Sequence, residues 1–386
     1  MLEQNTALPI EWLIKQGALT EHELQDWNHL LNNSSNVTST NLIEFNLNGV
    51  SLCSLSAPIY VLGYSKELDQ NLEESKDLRI ALILVKKQKS MLGIKFGLLQ
   101  PVSHDHVDMM SILGAEHFNN SKCVSSLIKE LNRSINSWSI FSARRLRDIK
   151  TINQLLISPN YARESAYFHL KNDKNTPLEI KNIIPKKLYK NISRFERKIE
   201  SEQQTVLQLI SYTTEEDVNT ALSEFFTLEA SGWKGEAGSA IQCNSELENF
   251  YRKSWGAFAC DNFAKIFVLK SGDSVIASGI AFQTKDELIL HKIAFDESLS
   301  QYGPGSILVK QIIQNAIDEG QVNSICFNTN PPWLKRWKPH RHRLVAIQIF
   351  NTNFKGNMFK FLFGLADKLR TLKRQLKKVN QQRQNK

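Results

Sequence analysis

From residue 202 onward, apolar side chains recur at helical or strand spacing with few interruptions. Thr205–Tyr212 alternates as a strand does, and Val218, Leu222, Phe225 and Phe226 mark one face of a helix over Glu215–Glu229. A second helix follows over Glu246–Cys260, and then three strand-like runs at Lys265–Lys270, Val275–Thr284 and Glu287–Phe295. Ile307, Leu308, Ile312 and Ala316 predict a buried stripe on a helix spanning Gly305–Glu319, and Val322–Asn328 and Leu344–Phe350 close the set as strands. Helix, helix, three-stranded meander, loop-helix and strand predict an α+β sheet domain over residues 202–352.

Before residue 150 the same rhythms are fainter. Glu21–Leu31 reads as a short amphipathic helix and Val50–Leu62 as strand-like. Leu78–Val85 and Ser90–Leu99 form a hairpin signature around the charged turn Lys86–Lys89. Val124–Asn136 has helical spacing at Leu127, Leu131 and Ile135; Ser137–Phe141 reads as a strand and Leu146–Leu156 as a helix. Hairpin, helix and strand repeat the later order, so residues 1–171 are expected to be a diverged copy of the same domain, on element order alone. Residues 172–201 hold a linker, with Asn172–Pro185 carrying two prolines, and a charged helix over Lys186–Glu202 with Leu188, Ile192, Phe195 and Ile199 on one face. Lys186, Lys187, Lys190 and Arg194 on that helix are candidate phosphate contacts, although a solvated face is the simpler reading.

Charge changes the picture only once it is located. The net +9 of the 386 residues is matched by residues 355–386, where seven lysines and three arginines face Asp367 alone. The remainder is formally neutral, which argues against a nucleic-acid groove on the body. In that tail, residues 353–386, the positions Phe359, Phe361, Leu362, Leu365, Leu369, Leu372 and Leu376 form a stripe opposite the basic cluster. The stripe is expected either to dock on the body or to touch anionic lipid. The five cysteines show no paired or zinc-like spacing, so reduced thiols and no metal are expected. The apolar runs Ile80–Val85 and Phe361–Ala366 are far shorter than the ~20 residues of a membrane span. The start lacks the order of a signal peptide, so a cytoplasmic location is expected, with peripheral contact at the inner face of the membrane through the tail.

Three segments concentrate the chemistry. In Ile293–Leu308 a strand ends, a short loop holds Gly303-Pro304-Gly305, and an amphipathic helix begins at once. Glycines permit close approach of backbone to ligand, proline presets the helix start, and the first helical N–H groups are free for phosphate oxygens. A plain turn capped by Ser306 is the alternative. In Thr227–Ala240, Glu229 ends a helix and Gly232-Trp233-Lys234-Gly235 makes a turn that can stack on a ring and hold an anion, or be anchored by one buried Trp. Asn328–Trp337 interleaves Trp333 and Trp337 with Lys335 and Arg336, as the wall of a substrate pocket or a strand-reading surface would. His291 precedes the phosphate loop on a strand whose alternation puts it opposite Lys292, where a packed or surface role is the simpler reading.

Taken in order, Leu228–Gly235, Gly238–Ala240, Lys292–Glu297, Tyr302–Gly305 and Lys335–Trp337 resemble the acyltransferase domain of GNAT-superfamily proteins of the CelD-like type, from cellulose and exopolysaccharide biosynthesis. They are also similar to Fem-type aminoacyl transferases. The likeness covers residues 186–340, with Leu334 where that family usually has Tyr and Asn328-Thr-Asn-Pro where an acidic residue or Gly often stands. It implies tandem GNAT-like domains with mixed central sheets flanked by helices. It implies acetyl-coenzyme A or another acyl-coenzyme A as co-substrate, and a saccharide or amino-sugar acceptor offering an amine or hydroxyl. Backbone amides of Gly303, Gly305 and Ser306, beside Tyr302, would hold the pyrophosphate, and the Ile293-Ala294-Phe295 strand would pair with the pantetheine arm. Glu229, His291 and Asp296 become the candidate bases, Lys234 and Lys335 the groups orienting the acceptor, and Trp233, Trp333 and Trp337 the substrate walls. A Fem-like transferase using charged tRNA and a binding module of the same fold without turnover are the rival readings.

Overall fold

A computed structural model describes residues 9–35, 37–66, 76–107, 109–147, 156–158, 161, 163–170 and 178–384. In chain order the elements are β1 (Ile10–Gln16), α1 (Glu21–Asn33), α2 (Ile43–Leu52), β2 (Ile59–Lys66), β3 (Lys76–Met91), β4 (Ile94–Pro101), α3 (Ser121–Ser134) and β5 (Ile140–Arg147). Next come β6 (Arg163–His169), α4 (Ile180–Ile183), α5 (Lys186–Gln203), β7 (Leu207–Tyr212), α6 (Glu215–Ala230), α7 (Trp233–Glu236) and α8 (Ser245–Cys260). The chain then adds β8 (Ala264–Ser271), β9 (Ser274–Gln283), β10 (Glu287–Phe295), α9 (Pro304–Glu319), β11 (Ser324–Phe327), β12 (His340–Phe350) and α10 (Phe354–Gln384).

Two compact units form, and neither is one continuous stretch of chain. The first holds residues 1–37, 54–163 and 344–386; the second holds 38–53 and 164–343. These bounds differ from the linear division at residues 171, 202 and 352, because the pairing of strands decides membership. From Leu344 onward β12 pairs antiparallel with β5, in the first unit, and β6 pairs antiparallel with β11, in the second.

Each unit repeats one sheet plan. In the first, β1, β2, β3 and β4 run antiparallel, β5 lies parallel to β4 after the α3 crossover, and β12 pairs antiparallel with β5. In the second, β7, β8, β9 and β10 run antiparallel, β11 lies parallel to β10 after α9, and β6 pairs antiparallel with β11. The fold is therefore mixed α+β, with a mixed sheet and flanking helices in both units, and the expected internal copy is present as topology. The run Ile80–Val85 is buried throughout, as a strand covered on both faces requires.

The second unit is layered. On one face of its sheet, α5 and α9 bury Ile192, Ile199, Ile307, Leu308 and Ile312 against Phe267, Leu269, Leu290 and Phe327. On the other, α6 and α8 stack Phe226, Tyr251, Trp255 and Phe258, and the Trp255 indole N–H donates to the Ala281 carbonyl at 3.0 Å. Phe45 of α2 enters the same aromatic layer, 5.2 Å from Phe250 and 5.8 Å from Phe258. Burying such a ring contributes roughly 2–3 kcal/mol, which explains why Val50–Leu52 are helical rather than strand-like and why the strand begins only at Ile59.

Other local expectations shift for identifiable reasons. The hairpin turn sits at Leu92-Gly93, not at Lys86–Lys89; both turn residues have positive φ (52° and 78°), as a two-residue type I′ connection needs. The lysines are the solvated end of a long two-stranded ribbon. Ser137 turns with φ 56°, so the strand expected from Ser137 begins at Ile140. Leu146 and Arg147 belong to β5, while the rest of the Leu146–Leu156 helix expectation falls almost wholly outside the described residues, as does Asn172–Thr176. Helices α1, α3, α6 and α8 start at Thr20, Asn120, Thr214 and Asn244, each accepting a backbone N–H from the first turn.

Candidate active site

The parallel strands of the second unit part company halfway along. β10 pairs with β11 from Glu287 to Leu290 only, and a register shift at His291 separates that half from Lys292–Phe295. Beyond the shift, among the described residues, β10 keeps β9 as its partner strand and none on the β11 side. The Asp296 N–H donates to the Ile276 carbonyl at 2.9 Å, so alternation along an antiparallel ladder turns Ala294 toward β9 as well. The backbone groups of Ile293 and Phe295 therefore face the open side. A crevice beyond the carboxyl ends of parallel strands, beside a helix N-terminus, is where α/β sheets bind ligands.

That helix start is built residue by residue. Asp296 caps the 3₁₀ turn Glu297–Tyr302 by accepting from the Ser298 N–H at 2.9 Å and hydroxyl at 2.7 Å. Gly303, with φ 64°, reverses the chain, Pro304 takes the first helical position, and a Cβ on Gly305 would stand 3.1 Å from the Phe295 ring. Of the three amides expected to face phosphate, two are already used. The Gly303 N–H donates to Ser300 O at 3.0 Å and the Ser306 N–H to Gly303 O at 2.8 Å. Gly305 supplies the N–H of this turn that no main-chain carbonyl takes among the described residues. Arg336 completes the corner, its Nη2 donating to the Ser306 hydroxyl at 2.6 Å.

Tyr302 departs from its expected cofactor role. Its hydroxyl donates to Glu202 of α5, which raises its pKa, burial adding to the effect, and the Lys198 ammonium lies 5.2 Å from its ring centroid. The side chain ties the loop to α5 instead of reaching the open side. Lys310 of α9 adds bonds to Ser193 and Glu196 of the same helix. Lys186, Lys187, Lys190 and Arg194 are all exposed, as a solvated face predicts.

The Gly232–Gly235 turn forms a neighbouring wall. The Gly235 N–H donates to Gly232 O at 2.9 Å, and a Cβ on Gly235 would fall 1.8 Å from the Ala230 carbonyl oxygen. Glu297 holds the turn to the phosphate loop by accepting the Trp233 N–H at 3.2 Å. Glu229 anchors it from below: its carboxylate takes the Lys234 ammonium at 2.5 Å and the Ile241 N–H at 2.9 Å, with Lys292 at 3.9 Å. Burial pushes that carboxyl up, but Lys234, the Ile241 N–H and Lys292 outweigh it and hold its pKa below the ordinary value. A carboxylate so held is a poor proton acceptor. Asp296 is spent as the cap of the 3₁₀ turn.

His291 bridges two elements. Its Nδ1 lies 2.6 Å from the Asn328 amide nitrogen and its Nε2 3.2 Å from the Tyr251 hydroxyl, with the Trp255 ring 5.1 Å away. With the amide nitrogen donating to Nδ1, a neutral His291 ring would carry its proton on Nε2. Strand alternation had put His291 opposite Lys292, yet both reach Tyr251, the Lys292 ammonium standing 5.9 Å from its ring centroid. The register shift is the cause, because an extra residue flips the alternation. The histidine thus joins α8, β10 and the end of β11 where the strands diverge.

The aromatic segment divides in two. Trp333 is half-exposed and edge-on to Phe327, and Trp233 projects into solvent, so both remain available to a substrate. Trp337 does not: it is fully buried beside Leu334 and Phe168 and belongs to the core. Lys335 is exposed. The structure adds Arg336, Asn328, Glu297 and Tyr251 to the site. Arg336 and Glu297 stood inside the quoted motifs, but nothing in their spacing tied residue 336 to 306 or 297 to 233.

Residues 186–338 match the family described as the acetyltransferase (GNAT) domain. This segment is a GNAT acyltransferase domain. No curated protein matches the chain. Among solved structures, FemX superposes on the GNAT domain and its companion unit with a TM-score of 0.54 at 9% identity, over 90% of this chain and 100% of that one. A tandem GNAT protein from the clavulanic acid biosynthesis pathway aligns over 89% and 99% at 10% identity, with a TM-score of 0.43. The C-terminal domain (DUF2156) of a putative lysylphosphatidylglycerol synthetase from Agrobacterium fabrum covers 84% and 91% at 10% identity, with a TM-score of 0.46. The likeness to FemX supports the fold assignment of the GNAT domain and its companion unit, and no more than that.

Proposed function

We propose that the GNAT domain binds an acyl-coenzyme A along the open edge of β10 and passes its acyl group to an amine or hydroxyl of a saccharide or amino-sugar precursor, in envelope or exopolysaccharide synthesis. The observation that carries this reading is the free backbone edge at Ile293 and Phe295, ending at a helix start where the Gly305 N–H, the Ser306 hydroxyl and Arg336 converge. An extended pantetheine arm can add to such an edge as a strand would. A diphosphate at its end meets the helix dipole and a guanidinium. The free edge can also offer an N–H to charge developing on the thioester oxygen. With Glu229 and Asp296 engaged, catalysis rests on positioning, and Lys234 and the Trp233 and Trp333 rings are the groups nearest to an acceptor role.

One observation favours a second donor. Lys335, Arg336, Lys338, Arg341 and Arg343 are all exposed and no acid stands within residues 335–343, Glu164 meeting Arg341 alone at 3.3 Å among the described residues, which suits the phosphates of a charged tRNA as in Fem-type transfer. Calorimetric titration with acetyl-coenzyme A and, separately, with aminoacylated tRNA in moderate salt separates the two. Saturable acetyl-coenzyme A binding, with thiol release on adding amino sugars, is the expected result. Binding of tRNA alone would replace the donor, and binding of acetyl-coenzyme A without thiol release on any sugar would leave a module without turnover.

A further inference from the structure

Helix α10 has one broad apolar face, and the fold covers only part of it. Met358, Phe359, Leu362 and Phe363 pack with Phe96, Ile140, Leu98 and Phe350 of the first unit, the Phe96 and Phe359 rings lying 4.4 Å apart. At about 100° per residue, Phe354, Phe361, Leu365, Leu369 and Leu372 share an arc of about 80° that adjoins the docked one and overlaps it at Met358. Their side chains are 83%, 71%, 46%, 54% and 58% exposed. The tail stripe expected from the sequence therefore splits: Phe359 and Leu362 dock, whereas Phe361, Leu365, Leu369 and Leu372 do not. Leu376 lies beyond the described side chains.

Charge says what covers the exposed arc. Lys355, Lys360, Lys368, Arg370 and Lys373 are exposed along the same helix, and Asp367, the one acid among residues 355–386, is engaged by Arg370 at 3.4 Å. We propose that this face of α10 rests on an anionic lipid surface, its Phe and Leu side chains in the headgroup–acyl boundary and its cations on lipid phosphates. Among the described residues no helix is long and apolar enough to cross a membrane. A basic helix with an apolar stripe lies in the interface plane. The 4-3 spacing of Leu365, Leu369 and Leu372 also suits a helix pair, but Lys368 and Lys373 flank that seam and would meet the same cations on a second copy.

Co-sedimentation of the full-length protein tests this. It should partition onto phosphatidylcholine vesicles containing phosphatidylglycerol and bind pure phosphatidylcholine about tenfold more weakly or less. The surface double variant Phe361→Ser/Leu369→Ser and the charge variant Lys368→Glu/Lys373→Glu should each lower partition by about tenfold, with circular dichroism unchanged. Failure to bind the anionic vesicles overturns the inference, as does binding that neither variant weakens. A concentration-dependent dimer in sedimentation velocity, dissolved by Phe361→Ser/Leu369→Ser without any vesicle binding, assigns the face to a second copy and overturns it too.

Discussion

The two units share a sheet plan but treat the gap after their parallel strands in opposite ways. In the second, residues 296–303 carry the chain directly from β10 to α9, and the edge at Ile293 and Phe295 stays open. In the first, the connection from β4 to α3 spans residues 102–120 and returns into the sheet. The Met110 N–H donates to Arg145 O at 2.9 Å, the Arg147 N–H donates to Met110 O at 3.1 Å, and the Ala81 N–H donates to Leu113 O at 3.2 Å. Val107, Met109, Met110, Ile112 and Leu113 are buried, and Gly114, with φ 69°, passes so near β3 that a Cβ would lie 1.7 Å from the Arg79 carbonyl oxygen. One unit thus satisfies its open strand edges with its own chain, while the other, among the described residues, leaves the β10 edge without a partner strand. Backbone groups at such an edge need partners either way. A copy whose cleft is filled is expected to act as scaffold, which the variants below test.

Four measurements can break or sharpen that contrast. The largest effect should come from the wall of the open cleft. Glu229→Ala strands Lys234 and the Ile241 N–H, and should cost about 3 kcal/mol in urea unfolding followed by fluorescence. The carboxyl has a folded-state pKa below its unfolded value near 4.5. Its contribution is therefore complete above that value and fades as pH falls through the folded pKa, so the gap between native and variant should close in acid. A gap that stays constant down to low pH would show that Glu229 is not ionised in the fold.

Next, Gly305→Glu sets a carboxylate against Phe295 and the expected diphosphate, and should weaken acetyl-coenzyme A about a hundredfold in calorimetry with the secondary structure retained. In the filled unit the opposite pattern is expected. Gly114→Ala should lower stability by about 2 kcal/mol, through positive φ and the Arg79 carbonyl. At temperatures where the variant is folded, acetyl-coenzyme A affinity should stay within about twofold of the parent, since the sites are independent. A large affinity loss there would end the view of the first unit as scaffold alone. The smallest effect is a gain: Leu92→Gly relieves a left-handed leucine at the exposed hairpin tip and should raise the urea midpoint by an equivalent of about 1 kcal/mol.

Much of the second unit was legible in advance because its elements are locally consistent. Periodicity located α6, α8, β8, β9, β10 and α9 to within a residue or two, and caps such as Thr214 and Asn244 agree with it. The first unit was harder to read where tertiary contacts override local preference. Val50–Leu52 are helical because Phe45 of the same helix is held among Phe250 and Phe258, some two hundred residues away in sequence. Lys86–Lys89 looked like a turn because charge marks solvent, and a solvated ribbon end is solvated too. In the site, chain order brought Gly303–Ser306 and Gly232–Gly235 into view, but composition could not sort exposed Trp333 from buried Trp337, nor tell an available carboxylate from Glu229 in its ion pair.

By itself, then, the sequence determined the kinds of element, the glycine-proline helix start and the concentration of charge in α10, since each depends on neighbours within a few residues. Only the tertiary structure decided that β6 and β12 leave their sequence neighbours to pair with β11 and β5, that one cleft is filled and the other open, and that Arg336 meets Ser306. It also decided which half of the α10 stripe is left exposed. Those outcomes depend on which distant strand edge or apolar surface remains unpaired once the chain has folded, and no local pattern records that.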